Sequence, residues 1–264
     1  MNRRLESYAR ARRQGALSLA GACAAALLVL MGGPARAGEL PELLRFAGAT
    51  DYRAWMARFA WENLRPFSDS TQRFRLENGA LRMESRGDSF LIGSTLPGIL
   101  PVSLDEYPYL RFVVRIERVP EGADVSRERL DDSAFRLYAA TRASPPQSVV
   151  YAWTWNHPVG HWSHQGLTSL GLFTNVRHKS IGNGAPPAGQ WITVETRLRE
   201  DVRAQFPDLD RPRLVGISLK ADSNDTEGAS SLAWIRSASL HRESLRAQGL
   251  REGDPLGDTV LWYR

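Results

Sequence analysis

The sequence is poor in sulfur: its 264 residues include one cysteine, Cys23, and four methionines. No disulfide can form within the chain, and cysteine-based metal sites are excluded. Also missing are a Gly-x-Ser-x-Gly elbow and a phosphate-cradling glycine loop, which removes the commonest serine-hydrolase and nucleotide-binding chemistries. There is no internal repeat and no alternation of strand and helix patterns, so repeat arrays and doubly wound α/β folds are set aside. A long apolar run occurs near the start, from Ala16 to Met31, and it is short for a membrane span.

Arg3, Arg4, Arg10, Arg12 and Arg13 precede that run, and Ala35-Arg36-Ala37 follows it with small residues at the two positions a signal peptidase reads. Residues 1–37 are therefore expected to be a secretory signal peptide cleaved after Ala37. The mature chain is then periplasmic or secreted and keeps no transmembrane segment. The leader takes with it six of the 34 basic residues and one of the 29 acidic ones, leaving 28 of each. The high sequence pI belongs largely to the discarded segment and implies no nucleic-acid partner. Cys23 leaves as well, and the remaining chain, Gly38 to Arg264, is long enough to bury a core without covalent staples.

Four parts are expected: the signal peptide at 1–37, a helical lead-in at 38–70, a β-sandwich domain at 71–244 and a C-terminal tail at 245–264. In the lead-in, Thr50 or Asp51 is a helix cap, and Trp55 and Phe59 fall on one helical face. Asn78-Gly79 between alternating segments predicts a tight hairpin with a primed turn. Further strands are predicted at Phe90–Leu96, Tyr107–Val119, Trp191–Leu198, Leu214–Ala221 and Leu232–His241. An edge strand at Leu172–Ile181 follows a long connection, Asn156 to Gly171. Arg199–Phe206 is a short helix, and Val260–Tyr263 ends the tail as an edge strand or a loose end. Many short strands without a βαβ rhythm predict an all-β fold, a β-sandwich of jelly-roll, lectin-like type with one or two short peripheral helices.

The chain is organised around Leu130 to Trp155, two strands joined by a turn at Ser144–Ser148. Strand alternation puts Asp132, Ala134, Arg136 and Tyr138 on one face and Ser133, Phe135, Leu137 and Ala139 on the other. It also gathers Tyr151, Trp153 and Trp155 on one side, as a core wall or as a stacking platform. The adjacent Asp131 and Asp132 face opposite ways on a regular strand and cannot act as an acid/base pair there.

An ordered set of motifs gives a family resemblance. Tyr107-Pro108-Tyr109-Leu110, Asp131-Asp132-Ser133-Ala134-Phe135-Arg136-Leu137-Tyr138, Tyr151-Ala152-Trp153, Trp191 before a strand and helix, and Gly216 to Thr226 resemble domain of unknown function 3047. The resemblance covers about Leu76 to Leu240. It implies an exported bacterial protein related to jelly-roll carbohydrate-binding domains, and says little about activity. Phe112 stands where that family usually has a tryptophan, and Lys220 to Thr226 departs from its usual aspartate-threonine-aspartate-asparagine-threonine run.

The acidic loop supplies hard oxygen ligands at Asp222, Asn224, Asp225 and Glu227, a candidate site for structural calcium, against a solvated loop that caps its own backbone. His157, His161 and His164 have a zinc-protease-like spacing, but Pro158 and Gly160 oppose the helix that motif needs. Hydrolysis of a glycan requires two converging carboxyls, for which Asp132, Glu195, Asp222 and Asp225 are available. Asp132 and Arg136 also suit a structural ion pair. The leading expectation is a non-catalytic protein whose partner is a glycan or another envelope component. Tyr138, Tyr151, Trp153, Trp155 and Trp162 would line its face, with Asp132, Arg136 and Asn156 holding hydroxyls. A polysaccharide hydrolase and an envelope scaffold are the alternatives.

Overall fold

A computed structural model of the chain describes residues 40–46, 48–64, 69–143, 146–165, 175–185, 187 and 189–264. Every described residue belongs to the compact unit Ala35–Arg264, and the signal-peptide expectation lies outside the described residues. No helix among the described residues is long and apolar enough to cross a membrane.

First come β1 (Glu42–Arg45), the helix α1 (Tyr52–Arg58) and β2 (Glu62–Asn63). Then follow β3 (Arg75–Glu77), β4 (Ala80–Arg86), β5 (Ser89–Ser94), β6 (Val102–Ser103), β7 (Tyr109–Arg118), β8 (Ser133–Ala143) and β9 (Pro146–Thr154). The chain continues through β10 (Trp162–Gln165), β11 (Asn175–Asn183), β12 (Ile192–Thr196), the helix α2 (Leu198–Gln205), β13 (Arg213–Leu214) and β14 (Gly216–Asp222). It ends with β15 (Ser230–His241), β16 (Pro255–Leu256) and β17 (Thr259–Tyr263). One eight-stranded sheet runs β16-β17-β12-β7-β15-β4-β3, with β1 also paired to β15. A seven-stranded sheet runs β10-β11-β9-β8-β14-β5-β2, and β13 and β6 form a separate small ladder.

Alternation decides which side chains meet between the sheets. Phe112, Val114 and Ile116 of β7 and Leu81 and Met83 of β4 share one core with Phe135, Leu137, Tyr151, Trp153 and Leu219 of the other sheet. The Phe112 ring lies 5.9 Å from Phe135 and 6.2 Å from Tyr151. Among the described residues, α1 buries Tyr52, Trp55 and Met56 and α2 buries Leu198, Asp201 and Val202. This is an all-β sandwich of two sheets, as the strand pattern predicts.

Several local expectations hold. Asn78 and Gly79 both have positive φ, 52° and 74°, the geometry of a primed two-residue turn between β3 and β4. Asp51 caps α1, its Oδ1 accepting from the Ala54 backbone N–H at 2.6 Å.

Three placements differ from expectation. The lead-in contributes strands as well as a helix, because adjacent Leu43 and Leu44 are both buried when β1 pairs with β15. The strand predicted as an edge, now β11, lies inside the seven-stranded sheet, parallel to β9; the edge is β10, which turns back on it. The tail supplies β17, parallel to β12 and anchored by the buried Leu261.

Candidate functional site

The structure corrects the aromatic platform first. Tyr151 and Trp153 are 0% and 1% exposed, in the core between the sheets, so neither presents a ring to a ligand. Burying large rings outweighs displaying them when a second sheet packs over that face. Tyr151 nevertheless donates its hydroxyl to Asp201 Oδ2 at 2.8 Å, and Trp153 donates to the Gly184 carbonyl at 3.2 Å. The Trp153 ring stacks on Trp262 at 5.3 Å. Trp155 and Trp162 are half-buried against the same core. Asn156 is exposed and spends its amide on the Gly122 carbonyl at 3.2 Å. Tyr138 faces the other way, in a small apolar cluster with Leu91, Val150 and Val176.

The opposite face of the seven-stranded sheet carries the charged residues. Arg136 of β8 is 0% exposed. Its Nη2 donates to the Asp131 carboxylate at 2.6 Å and to the Asp131 carbonyl at 2.7 Å, and its Nε donates to Ser133 Oγ at 2.7 Å. The hydrogen-bonded partner of Arg136 is thus the half-buried Asp131, not Asp132 as the sequence suggested, because β8 begins only at Ser133 and the chain before it is free to turn. Burial alone would push the guanidinium down, but Asp131, Tyr138 and Asp222 more than offset it and hold the charge.

Asp132 does something else. Its carboxylate accepts the backbone N–H of Asp225 at 3.2 Å and of Thr226 at 2.6 Å, which fastens the acidic loop to the start of β8. Asp222 ends β14 with its side chain fully buried; Lys220 and, at 3.6 Å, Arg136 lie beside its Oδ2. Both cations form ion pairs with it, although neither carboxylate oxygen accepts a well-aligned hydrogen bond among the described residues. Asp225 is exposed, and partial desolvation followed by the charges of Asp222, Asp132 and Asp131 pushes its carboxyl up to about 6. His178 is fully buried, and burial, then Arg136 and Lys220, hold its imidazole well below its ordinary range, so it stays neutral.

Of the four residues of the expected calcium loop, Asp222 and Asp225 converge, and the third carboxylate beside them is Asp131. Glu227 is exposed and outside that group, while Asn224 turns its amide to Asp225 Oδ1 at 2.8 Å. The histidines of the long connection do not gather. His157 and His161 stack edge-on at 6.5 Å, His157 Nδ1 lies 3.6 Å from Asp124, and no group of three histidines forms among the described residues. For hydrolysis, Asp222 and Asp225 are the pair that meets. Asp222 is sealed from solvent, however, so a polymer's scissile bond has no path between them.

An open groove lies elsewhere, among β11, β12, β17, α2 and the stretch after β15. Its volume is about 340 Å³, and its walls include Lys179 of β11, Glu195 of β12, Asp201 of α2, Arg246, and Tyr263 of β17. The Lys179 ammonium bonds Asp201 at 2.7 Å and sits 5.5 Å over the Trp162 ring. Glu195 accepts from Arg111 Nε at 2.6 Å and from the Leu245 backbone N–H at 3.0 Å. Burial pushes the Asp201 carboxyl up although Lys179 pulls it down. Arg246 lies 4.6 Å over the Tyr263 ring and makes no ion pair among the described residues. The signal for this groove was absent from local sequence, since its walls come from four separate segments. A wider, flatter depression of about 580 Å³ beside Arg86 and Arg118 has no aromatic residue in its lining.

The family described as Protein of unknown function (DUF3047) matches residues 60–238. The chain belongs to this family. The DUF3047 span contains Asp131, Asp132, Arg136, Lys220, Asp222 and Asp225, together with the Lys179, Glu195 and Asp201 side of the groove; Arg246 and Tyr263 lie beyond it. Among solved structures, the family 11 xylanase from Neocallimastix patriciarum is similar at 8% identity and TM-score 0.31, over 63% of this chain and 80% of that one. A loop-swap mutant of Xyn11A from the same organism gives 8% identity and TM-score 0.30, over 63% and 81%. No curated protein matches the chain.

Proposed function

We propose that this protein is an exported, non-catalytic β-sandwich that binds a glycan in the groove between β11, β12, α2 and β17. One observation carries the proposal: the groove rims a tyrosine ring with polar groups already fixed in orientation by their own partners. A sugar offers an apolar face to stack and a girdle of hydroxyls to hydrogen-bond, and planar side chains held in place bind hydroxyls with little further loss of freedom. The Lys179–Asp201 ion pair, largely buried, is held in this way, and Arg197 with Glu200 adds an exposed pair at 3.1 Å. The volume lies in the usual range of about 300–1,000 Å³ for small-ligand sites. Of the expected aromatic set, Trp162 lies beside Lys179, and the buried Tyr151 bonds Asp201 from beneath.

Backbone NMR during titration with neutral and acidic oligosaccharides tests the assignment. Shifts concentrated on β12, β17, α2 and Lys179 are expected. Shifts around Arg86 and Arg118 instead, or none with any sugar, would overturn it.

A further inference from the structure

Each carboxylate in the walls of the groove already has a cation. Lys179 pairs with Asp201 at 2.7 Å, Arg197 with Glu200 at 3.1 Å, and Arg111 with Glu195 at 2.6 Å. Arg264, also in the wall, pairs with Glu252 at 2.7 Å. Arg246 is left over: it is exposed, and its guanidinium makes no ion pair or hydrogen bond among the described residues. It lies 4.6 Å over the Tyr263 ring, and the chain holds it there. Leu245 is buried and its N–H bonds the Glu195 carboxylate at 3.0 Å, while the Arg246 N–H bonds Ser244 Oγ at 2.9 Å. The Tyr263 hydroxyl donates to the Leu250 carbonyl at 2.8 Å, which fixes the ring. A guanidinium stacked on an aromatic face keeps its in-plane N–H donors free, and their fork matches a carboxylate.

We propose that the ligand of the groove is an acidic glycan, built of sugars that carry carboxylates, and that Arg246 on Tyr263 selects it. The inference rests on the reading of the groove as a glycan site and adds the class of sugar. A neutral sugar leaves the Arg246 guanidinium to water. A uronic acid unit beside Tyr263 gains two parallel charge-assisted hydrogen bonds from it. The other cations of the groove cannot supply them without giving up a carboxylate partner. Glu195, Glu200 and Asp201 do not repel the ligand as bare charges, because each is compensated by its own cation. The Arg246 contact lies at the surface, so it weakens as salt rises.

The test is isothermal calorimetry of the purified protein with two probes, oligogalacturonate and oligomannuronate, each beside the same oligosaccharide after its carboxyls have been reduced to alcohols. At least one acidic probe is expected to bind at least about tenfold tighter than its reduced form, an advantage that shrinks at high salt. Arg246→Gln, at an exposed position that leaves the fold intact, is expected to bind the acidic probe no tighter than the reduced one. Arg246→Lys should restore only part of the preference. Arg118→Gln removes the same charge outside the groove and should change nothing. Equal or higher affinity for the reduced probes, or equal losses in Arg246→Gln and Arg118→Gln, would overturn acid selection and leave the glycan site standing. Binding of neither form of either probe would overturn both.

Discussion

Arg136 holds the buried charge of the seven-stranded sheet together: it is sealed from water and meets Asp131 through both its guanidinium and the backbone carbonyl. Removing one partner of a buried pair leaves the other uncompensated, so Arg136→Leu is expected to cost about 3–5 kcal/mol in urea unfolding. Arg136→Lys should recover only part of it, because an ammonium cannot reproduce the planar fork. Gly182 has a different constraint. A Cβ there would lie 2.5 Å from the Trp153 ring, so Gly182→Ala is expected to destabilise by about 1–3 kcal/mol by the same measurement, through overpacking. His241 supplies a pH dependence. Burial, then Arg111, lowers its pKa from 6.5 to about 4. Between those values the unfolded chain binds more protons than the folded one, so this contribution to stability is complete above 6.5 and declines as pH falls towards 4. An NMR titration of the His241 ring in the folded protein should give a midpoint near 4; a midpoint near 6.5 would contradict the assignment.

Among the elements, β17 links β16 to β12 and also reaches the groove. Its Leu261 is buried and Tyr263 at its end lines the groove, so Leu261→Ala is expected to cost about 2–5 kcal/mol in urea unfolding and to weaken ligand binding with it. The contrast between elements shows what a sequence reveals. The β3–β4 hairpin was legible because Asn78-Gly79 encodes its turn locally. The position of β11 was not, because its partner β9 is parallel and reached through a long connection, and alternation does not name a strand's neighbours. Tyr151 and Trp153 show the same limit. Their period placed them on one face correctly, but only the packing of the other sheet decides whether that face meets water.

At the scale of the whole molecule, the two-sheet architecture was legible in the alternating strands and the turn residues between them, whereas the groove was not. Lys179, Glu195, Asp201, Arg246 and Tyr263 are scattered along the sequence until the sandwich closes and brings them together. The charged cluster lay between these cases: Asp132, Arg136, Asp222 and Asp225 stood out as residues, but Asp131 emerged as the shared partner only when β8 and β14 paired. The ligand proposed for the groove is a glycan. Affinity electrophoresis through gels containing bacterial and plant polysaccharides tests it most directly, with the wild type run beside Arg246→Ala and Tyr263→Ala. At least one polymer should retard the wild type, and both variants should migrate as in a blank gel. No retardation by any polymer, or equal retardation of all three proteins, would contradict the account.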